Sequence, residues 1–274
     1  KPVKRNSIFR LASMSKPITG VAMMQLIEKG KIDVYDNISK YIPEIKILGI
    51  AGRNENGEII KVKDASREIT IFEMLNHSAG MAQDVLSMEH YEIAGLRPKE
   101  GEKLCDAIPR IKDLLLDCEP GTSMAYSAHV AFDLMGYIIE LVSDMPYSEY
   151  LKKYITEPLG MKDTVFHPDE EQLSRLVKIY EADGEIKSQP DVAQNFIGFP
   201  RSYEGGSACL LGTVPDYMQF AQCLLNGGSL DGVQILKPET VVYMRTPHIS
   251  PCVKGFNKDQ VWGISMRIVH TDKA

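Results

Sequence analysis

The stretch FRLASMSKPITGVAMMQLIEKG, residues 9–30, decides the reading of the whole chain. From Pro17 to Glu28 it is mostly apolar on every side, with Ile18, Val21, Ala22, Met23, Met24, Leu26 and Ile27. A helix apolar all round is a buried helix. Pro17 suits a first turn, where its missing N–H costs nothing, and Gly30 after Lys29 is a stop signal. The pattern predicts a helix through the middle of the protein, with Ser13 at its N-terminus. Ser13 and Lys16 stand three apart, so one helical turn places them on one face. A lysine desolvated by such surroundings is neutral part of the time and lowers the cost of removing a serine proton. The helix N-terminus adds partial positive charge and free N–H groups that help an oxyanion forming beside Ser13. Spacing alone does not establish a site, because chance supplies about one S-x-x-K in a chain with 18 serines and 21 lysines.

Working outward, residues 5–12 read as a short extended entry and residues 47–68 as loop with a hairpin. Thr70-Ile71-Phe72-Glu73 is a capping box that starts a helix, and His77-Ser78-Ala79-Gly80 is turn-like. Residues 99–118 read as helix, broken by Glu119-Pro120-Gly121. Residues 127–143 form the next, with Ala131, Leu134, Met135, Ile138, Leu141 and Val142 at helical spacing. Another runs from Tyr147 to Ile155. Thr213-Val214-Pro215-Asp216 starts a helix that stops at Asn226-Gly227-Gly228. Asp231-Gly232 predicts a tight turn and Pro238 to Met244 a short helix. Trp262, Ile264, Met266 and Ile268 alternate with Gly263, Ser265 and Arg267, the pattern of a strand with one buried face.

The chain has 274 residues, 44% hydrophobic and 25% charged, with a net charge of −6. That much apolar surface excludes a disordered chain. The mildly acidic balance, without a long Lys/Arg run, argues against a nucleic-acid partner. No apolar stretch approaches the ~20 residues of a membrane-spanning helix. The five cysteines lack a C-x-x-C and read as reduced thiols, which points to a cytoplasmic setting. A leader ahead of Lys1 would place the protein outside instead. His90, His129, His167, His248 and His270 show no metal spacing, and His77 reads as a turn histidine bonded to backbone. The Gly205-Gly206 pair reads either as a close backbone approach to a cleft or as a turn.

Five segments carry a family resemblance in order. Residues 9–44, which hold Ser13-Met14-Ser15-Lys16, resemble the nucleophile region of the serine β-lactamase and penicillin-binding-protein superfamily. The branch is that of class C β-lactamases, D-Ala-D-Ala carboxypeptidase B and family VIII carboxylesterases. TIFEMLNHSAGM (70–81) resembles its LL-x-H-x-S/A-G turn, and PGTSMAYSAHVAFDLMGYIIE (120–140) its tyrosine motif. EPLGMKDTVF (157–166) and GGSACLLGTVPDYMQFAQCLLNGG (205–228) are similar to two later landmarks. Class A relatives pair S-x-x-K with S-D-N and K-T-G; in the branch resembled here a tyrosine opens the second motif, and Tyr126-Ser127-Ala128 matches it.

The resemblance implies a mixed α+β fold of β-lactamase/transpeptidase type, with an antiparallel sheet flanked by helices and packed on an all-helical domain. Residues 1–45 and 160–274 fall to the sheet domain and 46–159 to the helical one. It implies two-step acyl transfer through Ser13, with Lys16 and Tyr126 managing protons and the Ser13 backbone N–H as an oxyanion donor. The implied substrate is a small ester, amide or β-lactam, and no metal or organic cofactor is needed. Two departures stand out. Ala128 replaces the usual Asn, removing side-chain hydrogen bonds to the lysine and to a substrate amide, which favours esters over β-lactams or peptides. The third motif is missing, His270-Thr271-Asp272 being only superficially similar, so the chain reads as cut at both ends. A non-catalytic binding or scaffold member of the fold is the competing reading.

Overall fold

The computed structural model describes residues 2–81, 86–180, 184, 186–188, 198–255 and 259–269. Strand β1 (Ile8–Arg10) enters the core and leads through a 3₁₀ turn, Ala12–Met14, into α1 (Ser15–Glu28). Every α1 residue from Ile18 to Leu26 is buried, as are Ser15 and Lys16, so the all-round apolar pattern does mark the central helix. Hairpin β2 (Gly49–Arg53) and β3 (Ile59–Asp64) follows, pairing antiparallel with a bulge between Ile50 and Ala51. Helix α2 (Ile71–Leu75) begins at the expected capping box, with both reciprocal bonds between Thr70 and Glu73 formed.

Helix α3 (Leu86–Ile93) carries no strong sequence signal. The helix expected over 99–118 is far shorter. It consists of α4 (Leu104–Ala107) and a 3₁₀ segment Ile108–Asp113, followed by β4 (Leu115–Leu116). Gly101, left-handed at φ +80°, keeps the start out of the helix, and Pro109 ends it early because it lacks the N–H that an α-helix needs there. Ile108, Ile111, Leu114 and Leu115 are nonetheless buried. β4 pairs in parallel with β2, so residues 46–159 hold a three-stranded sheet, β3-β2-β4, among their helices.

The loop 117–129 carries the tyrosine motif into α5 (Val130–Ser143), which packs along α1. Helix α6 (Tyr147–Leu151) continues as a π turn through Thr156. Helix α7 (Glu170–Arg175) and the pair β5 (Ile179–Tyr180) and β6 (Ile186–Ser188) follow. β7 (Leu211–Thr213) returns antiparallel to β1, and Val165 and Leu176 extend this small sheet through single bridges to Leu211 and Ile8. Thr213 caps α8 (Val214–Leu225) by accepting the Asp216 N–H. β8 (Ser229–Leu230) and β9 (Val233–Gln234) close around Asp231-Gly232 at φ +49° and +82°, the predicted turn. Helix α9 (Pro238–Met244) has the predicted bounds.

The strand expected over 262–268 is instead a hairpin of β10 (Gln260–Trp262) and β11 (Arg267–Val269). The Gly263 N–H bonds the Met266 carbonyl at 2.9 Å, and Ser265 takes φ +59°. The turn plugs against the end of α2 and against α1: its Ser265 N–H bonds the Leu75 carbonyl at 2.8 Å, and Ile264 is fully buried. Gly20 of α1 makes room for it, because a Cβ there would stand 2.3 Å from Ser265 Oγ and 2.4 Å from Ser265 Cβ.

That contact sets the sign of a substitution. In an open helix Ala is favoured over Gly by about 1 kcal/mol. Here overpacking costs about 1–3 kcal/mol, so Gly20→Ala should lower the melting temperature. A thermal melt showing a higher midpoint would mean that the turn moves aside freely.

Candidate active site

The 3₁₀ turn at Ser13 is held from both sides. The Leu11 N–H bonds the Leu210 carbonyl at 2.9 Å, and the Tyr217 hydroxyl donates to the Met14 carbonyl at 3.1 Å. Between them Ala12 adopts φ +48°, a left-handed conformation that a residue with a Cβ rarely takes. The chain thus turns sharply before Ser13 and leaves that side chain exposed, while Lys16, one turn on, is only 2% exposed.

Lys16 Nζ has three acceptors, at 3.2 Å on Ser13 Oγ, 2.7 Å on the Ala128 carbonyl and 3.0 Å on the Ser207 carbonyl. An ammonium has three donors, so all are matched. Burial pushes its pKa down to about 8, with the Asp133 carboxylate working the other way. The carbonyl of Ala128 thus holds the lysine although its side chain has no amide to do so.

Tyr126 stands over the same amine, with Nζ 5.0 Å from the ring centroid. Burial raises its phenol above the ordinary value, and a side-chain interaction with Ser13 opposes that rise. His77 brackets Tyr126 along the chain. Its carbonyl accepts the Ala125 N–H at 3.1 Å, and its Nδ1 accepts the Ser127 N–H, also at 3.1 Å. Its ring lies 4.8 Å from Tyr126 and 4.3 Å from Trp262 between centroids. Burial, then the Lys16 charge, pushes His77 down to about 3, so it is neutral across the ordinary pH range. It is the backbone-bonded turn histidine that the sequence suggested, at φ +65°.

The sequence reading missed Asp133. It lies in α5 at 2% exposure, its carboxyl raised by burial to about 6. A lone carboxylate inside the apolar run Val130–Met135 was the available signal. Gly205-Gly206 does not approach the cleft: Gly206 opens a turn packed against α5, where a Cβ on it would stand 2.4 Å from the Phe132 carbonyl oxygen. His270-Thr271-Asp272 lies outside the described residues.

Ser13, Lys16 and Tyr126 converge on a cleft of about 1150 Å³. Phe220, Ala221, Leu224 and Leu225 of α8, with Met14 and Pro17, form an apolar wall. Trp262, Ser265 and Met266 face it, with Arg245 and Arg267 also in the lining. Among the described residues no group of three His, Cys, Asp or Glu side chains could hold a metal ion, and no helix is long and apolar enough to cross a membrane.

The chain is similar to known proteins in sequence and in fold. The Mycobacterium tuberculosis protein Rv1367c is 30% identical over 249 residues, covering 91% of this chain and 61% of its own length. A putative D-alanyl-D-alanine carboxypeptidase of Salmonella agona is 30% identical over 251 residues, covering 86% and 55%. The chain therefore spans a little over half the length of these curated relatives. Among solved structures, EstCE1, a hydrolase with promiscuous acyltransferase activity, superposes with a TM-score of 0.77 at 23% identity, over 100% of this chain and 72% of its own. Unliganded simvastatin synthase LovD of Aspergillus terreus, in its selenomethionyl form, gives 0.76 at 21%, over 98% and 70%. The sequence profile of the family described as Beta-lactamase matches residues 1–271, and the chain belongs to that family.

Proposed function

We propose that this chain hydrolyses small esters by two-step acyl transfer through Ser13. The observation that carries the reading is the set of acceptors around Lys16. Two are backbone carbonyls, which accept and never donate. When the amine loses a proton, its two remaining N–H groups stay with Ala128 and Ser207. The lone pair is left toward Ser13 Oγ at 3.2 Å. With a pKa of about 8, roughly a tenth of the lysine is already in this state at pH 7.

Ser13 gives its proton to that lone pair as Oγ attacks the carbonyl carbon. The negative charge that develops on the substrate oxygen is met by the Ser13 backbone N–H. Tyr126, kept protonated by burial, donates its proton to the leaving alkoxide and regains one from Lys16. Water then attacks the acyl-serine with the same groups working in reverse. Ester rather than β-lactam selectivity rests on Ala128, whose methyl offers no amide to a substrate N–H or carbonyl. The apolar wall of α8 suits a short acyl or alkyl group.

Ser13→Ala should abolish labelling by a fluorescent fluorophosphonate and reduce ester turnover to background. Retained turnover would place the nucleophile elsewhere. Lys16→Met should cost about 10²–10⁴ in kcat, the usual yield of a positioned acid–base group.

The sign of the pH dependence follows from Lys16. The ammonium form is inactive and predominates below about pH 8, so kcat/KM should rise with pH through a limb near that value. A flat profile between pH 6 and 9 would remove Lys16 as the base. Between a nitrophenyl ester and a cephalosporin, kcat/KM should favour the ester; the opposite order would show that the lost Asn is immaterial.

A further inference from the structure

Asp133 is not among the groups that would touch a substrate, yet it is wired to the one that activates Ser13. Its Oδ1 accepts the Ser207 N–H at 3.0 Å and its Oδ2 accepts the Tyr203 hydroxyl at 3.2 Å. Ser207 in turn points its carbonyl at Lys16 Nζ, 3.0 Å away. One residue therefore joins the buried carboxylate to the buried amine, its N–H tied to one and its C=O to the other. The glycines ahead of it permit the approach. A Cβ on Gly205 would stand 2.7 Å from Asp133 Oδ1, and one on Gly206 would meet both the Phe132 carbonyl and Thr19.

The charges around Lys16 leave Asp133 a distinct part. Facing the amine are Ser13 of its own turn, Tyr126 of the loop before α5, His77 of the turn after α2, His129, Asp133 of α5, and Cys209. Burial holds His77 at about 3 and His129 at about 4 and drives the Cys209 thiol well up, so these three are neutral near pH 7. Tyr91, Tyr147, Tyr203 and Cys209 face Asp133 and are likewise kept protonated by burial. With its own pKa raised by burial to about 6, Asp133 is, among the described residues, the anion that acts on Lys16 at neutral pH.

We infer that Asp133 is a positioning residue for the acyl transfer: through Ser207 it fixes the Lys16 amine against Ser13, and its charge offsets part of the cost of burying the Lys16 ammonium. The inference rests on Lys16 acting on Ser13, as proposed above.

Asp133→Asn tests it, because an amide oxygen can still accept the Ser207 N–H while the charge is gone. Lys16 is read directly by NMR of isotope-labelled lysine side chains, its resonance assigned by disappearance in Lys16→Met. In the unaltered protein it should titrate near pH 8. Removing a neighbouring anion in a buried site disfavours the ammonium, so in Asp133→Asn its proton affinity should fall roughly tenfold, and the acid limb of ester hydrolysis should move to lower pH with KM little changed. A purely structural carboxylate would lower activity without moving either titration.

Asp133→Leu also removes the acceptor, and should lower kcat roughly tenfold or more at constant KM. An unshifted Lys16 titration in folded Asp133→Asn overturns the inference, as does unaltered kcat in Asp133→Leu; should the latter not fold, the titration decides alone. The titration needs no turnover. Failure of the unaltered protein to label or hydrolyse would therefore overturn the serine-hydrolase reading separately.

Discussion

A lysine amine taken almost wholly out of water is the constraint on which the rest of this structure depends. Burying an ammonium costs several kcal/mol unless its donors are matched and an opposite charge is near. Lys16 meets both conditions through Ser13 beside it and through residues remote in sequence: Ala128 before α5, Ser207 beyond the paired glycines, and the Asp133 carboxylate. The N-terminus of α1, the loop into α5 and the segment 205–207 must therefore meet within hydrogen-bond distance of one nitrogen. Removing any of them leaves a buried cation short of a partner, which accounts for the close packing there, with no room for a Cβ on Gly206.

The nucleophile has the opposite requirement, since it must reach a substrate. The fold separates the two demands within three residues. Ala12, left-handed at φ +48°, redirects the chain so that Ser13 emerges while Lys16 turns inward. The cost of such a backbone conformation, of order 1–3 kcal/mol, is borne by the surrounding bonds from Leu11 to Leu210 and from Tyr217 to Met14.

The elements legible in the sequence were those with local causes. The Thr70/Glu73 box, the Asp231-Gly232 turn and the α9 bounds all follow from interactions spanning a few residues. Where tertiary contacts compete, local pattern misleads. The alternation from Trp262 to Ile268 reads as one strand, yet the Leu75 carbonyl and the gap over Gly20 bend it into a hairpin turn. The site shows the same division. Ser13, Lys16 and Tyr126 were legible through motifs, whereas spacing alone left Ser13 and Lys16 undistinguished from chance. In the letters Ala128 is a lost bond to the lysine because a sequence displays side chains; its carbonyl, invisible there, makes that bond. Asp133 was passed over because its meaning depends on Ser207, which lies 74 residues away.

Burial also sorts the acid from the base. In water a lysine amine and a tyrosine phenol have nearly equal pKa values, about 10.4 and 10, so neither is the obvious proton donor to the other. Desolvation penalises the charged form of each, and those forms have opposite sign. It pulls Lys16 down to about 8 and pushes Tyr126 up. The neutral pair, amine and phenol, becomes the favoured one, without either group needing a dedicated partner to set its direction. Lys16 is thereby placed to take the Ser13 proton and Tyr126 to supply one to a departing alkoxide. The same apolar surroundings that make α1 a buried helix thus set the direction of proton flow across its first turn.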